Sequence, residues 1–394
     1  MKRKTRIRMM IVLVVLMLIL AGNFFVEAFA ESSDDLNGSM EDAIDHLDTE
    51  ELQEYLDSLT QEQREAFGSN FVDKLKDLIT GDYSLDYGGI LSSLSGIFFD
   101  QIAGLLPIFC VICAVSVLCG ILGRFKSSFA EKGTSKMIFF VGYSAVLVLI
   151  LTSLTGIVKD CSSTVHSLQS QMQAIFPVLL TLIATSGGSV SVAVYQPAVL
   201  FLSEIIVDIV AGIVFPLAAM ICVLNMVGNM SQEIKLKNFS NLFAAVIKWV
   251  LGLSLAAFTV FLTVQGITSA TYDGLSFKAA KYAVSNTVPI IGSFLGSGFD
   301  LVIAGSVLIK NSVGSCGIFL LVIVLIVPLV QLIAYNLFLK LAAAVTEPIG
   351  DAGISNFLSS LSGTVNYFTA GLLAVGFMYF ITVLLLICSS NTLF

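Results

Sequence analysis

Uninterrupted apolar runs dominate this chain after residue 88, and their lengths predict its elements. Six of them, at 102–122, 137–157, 198–227, 249–268, 317–341 and 367–388, match the roughly 20 residues that cross a bilayer core as a helix. A membrane β-barrel would show short alternating segments instead. Two further apolar pieces carry glycine at their centres. Residues 174–197 contain Pro177 and the pair Gly187-Gly188; residues 288–310 contain Pro289, Gly292, Gly296 and Gly298. Each piece reads either as a helical hairpin that enters and leaves on one side, or as one ordinary span with tolerated glycines. Non-helical backbone at membrane depth survives only inside protein or beside an aqueous cavity. Pro216 and Pro328 lie inside two of the long runs and are further candidate helix breaks.

Before residue 88 the pattern changes. Residues 1–30 have a basic start, the apolar stretch MMIVLVVLMLILA and Ala28-Phe29-Ala30, the layout of a signal peptide, with an uncleaved anchor as the alternative. Residues 31–88 are polar, with two short amphipathic helices. Asp48-Thr49-Glu50-Glu51 and Thr60-Gln61-Glu62-Gln63 both fit a capping box. Leu52, Tyr55, Leu56 and Leu59 share one face of the first helix; Phe71, Leu75, Leu78 and Ile79 share one face of the second. The segment holds too little core to stand alone, so it is expected to dock on the membrane region or on a partner.

Composition agrees with this division. The chain is 56% hydrophobic and 12% charged over 394 residues, with mean hydropathy +0.93. The net charge of −8 is concentrated in residues 31–88, which hold 17 Asp/Glu against three Lys/Arg. That sign excludes a nucleic-acid-binding surface. Arg124, Lys126, Lys132, Lys136, Lys235, Lys237, Lys248 and Lys340 collect at one set of loops. The positive-inside rule then places those loops in the cytoplasm, and the N-terminal segment and the C-terminus outside. Seven cysteines read as small apolar filler; Cys110 and Cys113 have no second pair to complete a zinc site, and Cys161 falls in a loop.

The prolines also suggest duplication. Pro177 and Pro289, and Pro216 and Pro328, are separated by the same 112 residues. NFSNLFAAVIKWVLGL from Asn238 resembles NFLSSLSGTVNYFTAGL from Asn356, and a fainter copy starts at Pro107. The expected organisation is a signal peptide at 1–30, an acidic extracytoplasmic segment at 31–88, a degenerate first membrane repeat at 89–173, and second and third repeats at 174–287 and 288–394. The fold class is an all-α polytopic membrane protein, with about six full transmembrane helices plus two re-entrant or broken hairpins. Transporters recurrently use duplicated units with broken helices, and place their sites where the units meet.

Polar residues inside the apolar runs are the candidate chemistry. Glu204 and Asp208 in LSEIIVDIVAG are one turn apart on one helix face. A charge at the bilayer centre costs about 2.5–3.5 kcal/mol on insertion scales, so both should face protein or water. Headgroup exposure at the helix end is the alternative. Asp300 is the lone acid of its piece. Asn225 and Gln331, near the paired prolines, are candidates to line a path. No phosphate-binding loop, metal set or catalytic triad is present, which argues against catalysis and predicts no cofactor.

The stretches YQPAVLFLSEIIVDIVAGIVFPLAAM, KLKNFSNLFAAVIKWVLGL, and the run from NTVPIIGSFLGSGFD to AAVTEPIGD resemble the stage III sporulation protein AE family over nearly the whole chain. The resemblance implies a multi-pass protein of the mother-cell membrane around the forespore. There it would be a subunit of a secretion or feeding channel linking the two cells. Implied partners are other membrane and ring-forming proteins of the complex and a separate secretion-type ATPase. No catalytic residues come with the resemblance. A stand-alone ion-coupled transporter and a non-conducting scaffold remain as alternatives.

Overall fold

The computed structural model describes residues 49–67, 70–80, 87–125, 132–186, 192–193, 201, 203–230, 236–287, 291–349 and 352–388. Residues 1–30, Gly187, Gly188 and Pro289 lie outside them, and so do the expectations placed there. Three short helices come first: α1 (Glu50–Ser58), α2 (Gln61–Phe67) and α3 (Phe71–Thr80). Then come α4 (Tyr87–Phe125), α5 (Lys132–Thr185), α6 (residues 203–230), α7 (Lys237–Thr287), α8 (Ile291–Ile349) and α9 (Ala352–Cys388). Among the described residues there is no strand. Six helices are long and apolar enough to cross a membrane, and this is an all-α polytopic membrane protein.

The six long helices form three hairpins, α4–α5, α6–α7 and α8–α9, and Pro107, Pro216 and Pro328 each lie in the first helix of one. The helix ends that carry Arg124, Lys132, Lys237 and Lys340 lie at one end of the bundle, where Tyr143 meets Met226 and Phe357, here called the basic end. The α8–α9 hairpin is the centre, packed on α4, α5, α6 and α7. It closes tightly because glycine removes a side chain at the contact. An added Cβ at Gly376 would overlap Leu325, and one at Gly314 would overlap Ile387. Close helix approach through glycine is the usual route to association where lipid removes the hydrophobic drive.

Several helices far exceed a bilayer. At 1.5 Å per residue, the 54, 51 and 59 residues of α5, α7 and α8 make rods of about 80, 75 and 90 Å. The piece at 288–310 is therefore not a hairpin: residues 291–310 belong to the single helix α8, with Gly296 and Asp300 in its backbone. Likewise, residues 174–185 continue α5 through Pro177. Neither Pro177, Pro328 nor Gly296 breaks its helix, and the 173/174 boundary falls inside one. Glycine costs only about 1 kcal/mol in a helix interior, and each proline removes a single hydrogen bond from a ladder of fifty. Cys161 is buried in α5 rather than placed in a loop.

Pro216 behaves differently. Residues Val210–Val214 form a π-helical turn, and the Phe215 N–H reaches the Val210 carbonyl five residues back. The wider turn precedes a proline that has no N–H to give, so the ladder is reset just where it would be short of a donor. Gly371 of α9 lies against this turn, where an added Cβ would come within 2.7 Å of the Phe215 ring.

Candidate functional site

The N-terminal helices form a lobe on α5 and α8, as their amphipathic faces require. Leu52, Leu56, Phe67, Phe71 and Leu75 are buried, and such side chains contribute roughly 1.5–3 kcal/mol each. The Thr60 capping box forms: the Gln63 N–H donates to Thr60 Oγ1 at 3.4 Å, and the Thr60 N–H to Gln63 Oε1 at 3.2 Å. Thr49 makes no such side-chain bond. The second expected helix is split into α2 and α3, where the Val72 N–H donates to Asn70 Oδ1 at 3.0 Å. Phe67 packs on Phe71 and on Phe319 of α8, with the Lys74 ammonium 5.9 Å from the Phe319 ring centre.

A buried polar chain completes the docking. Tyr55 Oη lies 3.2 Å from Ser167 Oγ and donates to Gln171 Oε1 at 3.4 Å. Gln171 Nε2 donates in turn to the Gly317 carbonyl at 2.9 Å, which Tyr379 Oη also approaches at 3.4 Å. The chain thus joins the lobe to α5, α8 and α9. Burial pushes the Tyr55 hydroxyl up to about 12, against the milder opposing pull of Ser167.

Beside this anchor, between the lobe, α5 and α8, is a cleft of about 780 Å³. One wall is Asp160, Ser163, Thr164 and Ser167, a single face of α5 by their spacing. The opposite wall is Val324, Val327, Pro328 and Gln331 of α8, and the α1–α2 turn closes the top. Gln331 Nε2 donates to Asp160 Oδ2 across the cleft at 3.3 Å. Pro328 has no N–H for the Val324 carbonyl, and both residues line the space. The cleft offers a carboxylate and hydroxyls on its α5 wall, and a backbone acceptor beside an apolar strip on its α8 wall. That set suits a hydrogen-bond donor or a cationic group. Among its described lining residues there is no nucleophile–base pair.

Further toward the basic end, uncharged polar side chains meet inside the bundle. Asn225 Nδ2 donates to Thr364 Oγ1 at 3.1 Å, and Ser240 Oγ to Asn225 Oδ1 at 3.0 Å. Asn336 Nδ2 donates to Asn366 Oδ1 at 2.6 Å, and Tyr143 Oη to the Met226 carbonyl at 2.6 Å. This seam ties α5, α6, α7, α8 and α9 together.

The residues singled out in the sequence are therefore scattered. Gln331 lines the cleft and Asn225 the seam. Glu204 and Asp208 lie on an exposed face of α6, and the 21 residues from Glu204 to Asn225 span about 30 Å of helix. Asp300 lies 31 residues from Gln331 along α8, about 45 Å away. Asp160, Gln171 and the polar partners of the Tyr55 hydroxyl were not anticipated. The signal was present in the polar run from Lys159 to Gln173, which reads as a loop until its spacing is recognised as one helix face. Among the described residues, no three His, Cys, Asp or Glu side chains gather within metal-binding reach.

The family model for stage III sporulation protein AE matches residues 69–390, which takes in α3 to α9, the α5 and α8 walls of the cleft, and the seam. A relative from Bacillus subtilis (strain 168), Stage III sporulation protein AE, is 27% identical over 345 residues, 88% of this chain and 86% of its own length. No solved structure matches. With a family match running from the N-terminal lobe to the end of α9, this multi-pass membrane chain belongs to the stage III sporulation protein AE family.

Proposed function

We propose that this protein is the integral membrane subunit of a sporulation-specific channel between mother cell and forespore, working with other proteins rather than alone. The observation that carries the reading is the family match across all six membrane helices. Supporting it is a bundle with unlike ends. One end gathers Lys and Arg at or near the helix ends, suited to the cytoplasm and to a docked ATPase. The other end projects long helices and the docked lobe, suited to partners outside the membrane. Pro107, Pro216 and Pro328, each in the first helix of a hairpin, support a repeat origin for the three hairpins.

The exposed position of Glu204 and Asp208 supports contact with headgroups or a neighbouring subunit, and gives no support to ion coupling through the bundle interior. The test is affinity purification of the tagged full-length chain from sporulating-cell membranes in mild detergent. Recovery of a secretion-type ATPase, lost when Lys235, Lys237 and Lys248 are changed to Ala, is the expected result. Recovery of the chain alone, together with solute uptake by liposomes holding nothing else, would overturn the subunit reading.

A further inference from the structure

Two buried polar atoms at the seam, on Tyr335 and Asn336 of α8, have no partner among the described residues. Tyr335 is 4% exposed and Asn336 8% exposed, yet neither Tyr335 Oη nor Asn336 Oδ1 has a hydrogen-bond partner among the described residues. Other buried phenols are treated differently. Tyr143 and Tyr379 are fully buried, and each hydroxyl reaches a backbone carbonyl. Leaving a buried donor or acceptor bare costs on the order of 1–3 kcal/mol. Lipid chains offer nothing in exchange.

The surroundings define what fills the gap. The Cys222 thiol lies close to Tyr335 and within reach of Thr364, which already receives the Asn225 amide. Asn366 Oδ1 accepts the Asn336 amide and keeps a second lone pair. These groups are hydroxyls, amides and a thiol, so they favour a small neutral ligand that both donates and accepts. Buried waters typically make about three hydrogen bonds to such groups.

We propose that the seam between α6, α8 and α9 is a binding site for ordered water, anchored by Tyr335 Oη and Asn336 Oδ1. Water donates to Asn336 Oδ1 and accepts from the Tyr335 hydroxyl. The site stands on packing and hydrogen-bond geometry alone and does not depend on the sporulation role.

The test uses the purified full-length chain in lipid nanodiscs and radiolytic hydroxyl labelling, which modifies buried side chains beside trapped water. Tyr335 is expected to label roughly fivefold faster than Tyr143 and Tyr379, whose hydroxyls are taken by carbonyls. Equal rates for the three tyrosines would overturn the proposal. A second measurement separates a wet site from a dry one by sign. Tyr335→Phe removes a bare hydroxyl from a dry pocket and raises the melting temperature, but strips an anchor from bound water and lowers it. A lowered melting temperature is expected; a raised one rules the water out.

Discussion

The hairpins α8–α9 and α6–α7 carry matching prolines 112 residues apart, yet they occupy opposite roles. In α9, 72% of the membrane-spanning stretch is buried in the protein; in α7 the share is 22%. Sequence likeness between the two therefore does not carry over to packing. The difference lies in small residues and polar pairs. Gly314 and Gly376 bring α8 and α9 into direct contact, whereas Gly252 of α7 faces open space. The α6–α7 hairpin is held instead through the Asn225 seam and the Gly371–Phe215 contact. One hairpin is a fixed core, and the other is a laterally exposed arm.

The strongest way to break this comparison is steric. Gly376→Leu is expected to cost about 3 kcal/mol or more, with loss of the monodisperse peak in detergent chromatography, while Gly252→Leu leaves it unchanged. Next is the lobe: Phe71→Ala should cost about 3 kcal/mol of docking and expose residues 49–80 to protease, with the six long helices still protected. Asn225→Ala, which strands Ser240 and Thr364, is expected to cost about 1–2 kcal/mol, seen as a lower melting temperature.

Tyr55→Phe should loosen the lobe by about 1 kcal/mol by the same protease assay, because Gln171 Oε1 loses its donor. The pH dependence has a fixed sign. Tyr55 is held neutral when docked and titrates near its usual 10 when released, so docking is at full strength below that pH. It weakens as pH rises from 10 toward about 12, and the Phe variant should lack this weakening. The smallest effect belongs to Glu204→Gln with Asp208→Asn. Both side chains are exposed, so the melting temperature should stay within what about 0.5 kcal/mol allows.

What the sequence made legible follows from how local each signal is. Apolar runs near 20 residues predicted the six spans, and burial of Leu52, Tyr55 and Leu56 in α1 and of Phe71 and Leu75 in α3 followed from spacing alone. The Thr60–Gln63 box was visible because capping is settled within four residues. Helix continuity was not visible. The Ser- and Gln-rich stretch from Asp160 to Gln173 reads as a loop, because its partners, the lobe and α8, lie far away in the chain. The same distance hid Tyr55, whose hydroxyl is committed to residues more than a hundred positions on. Glu204 and Asp208 show the converse limit. Spacing places two acids on one face, but only packing decides which face turns inward.

The length of α5 and α8 has a mechanical consequence. Each is a single unbroken rod of about 80–90 Å, far longer than the bilayer is thick. A tilt of about 10° imposed at the basic end would swing the far end by ~14 Å, on the 1.5 Å helical rise per residue. Work done on one face of the membrane would thus be felt, as displacement, well clear of the other.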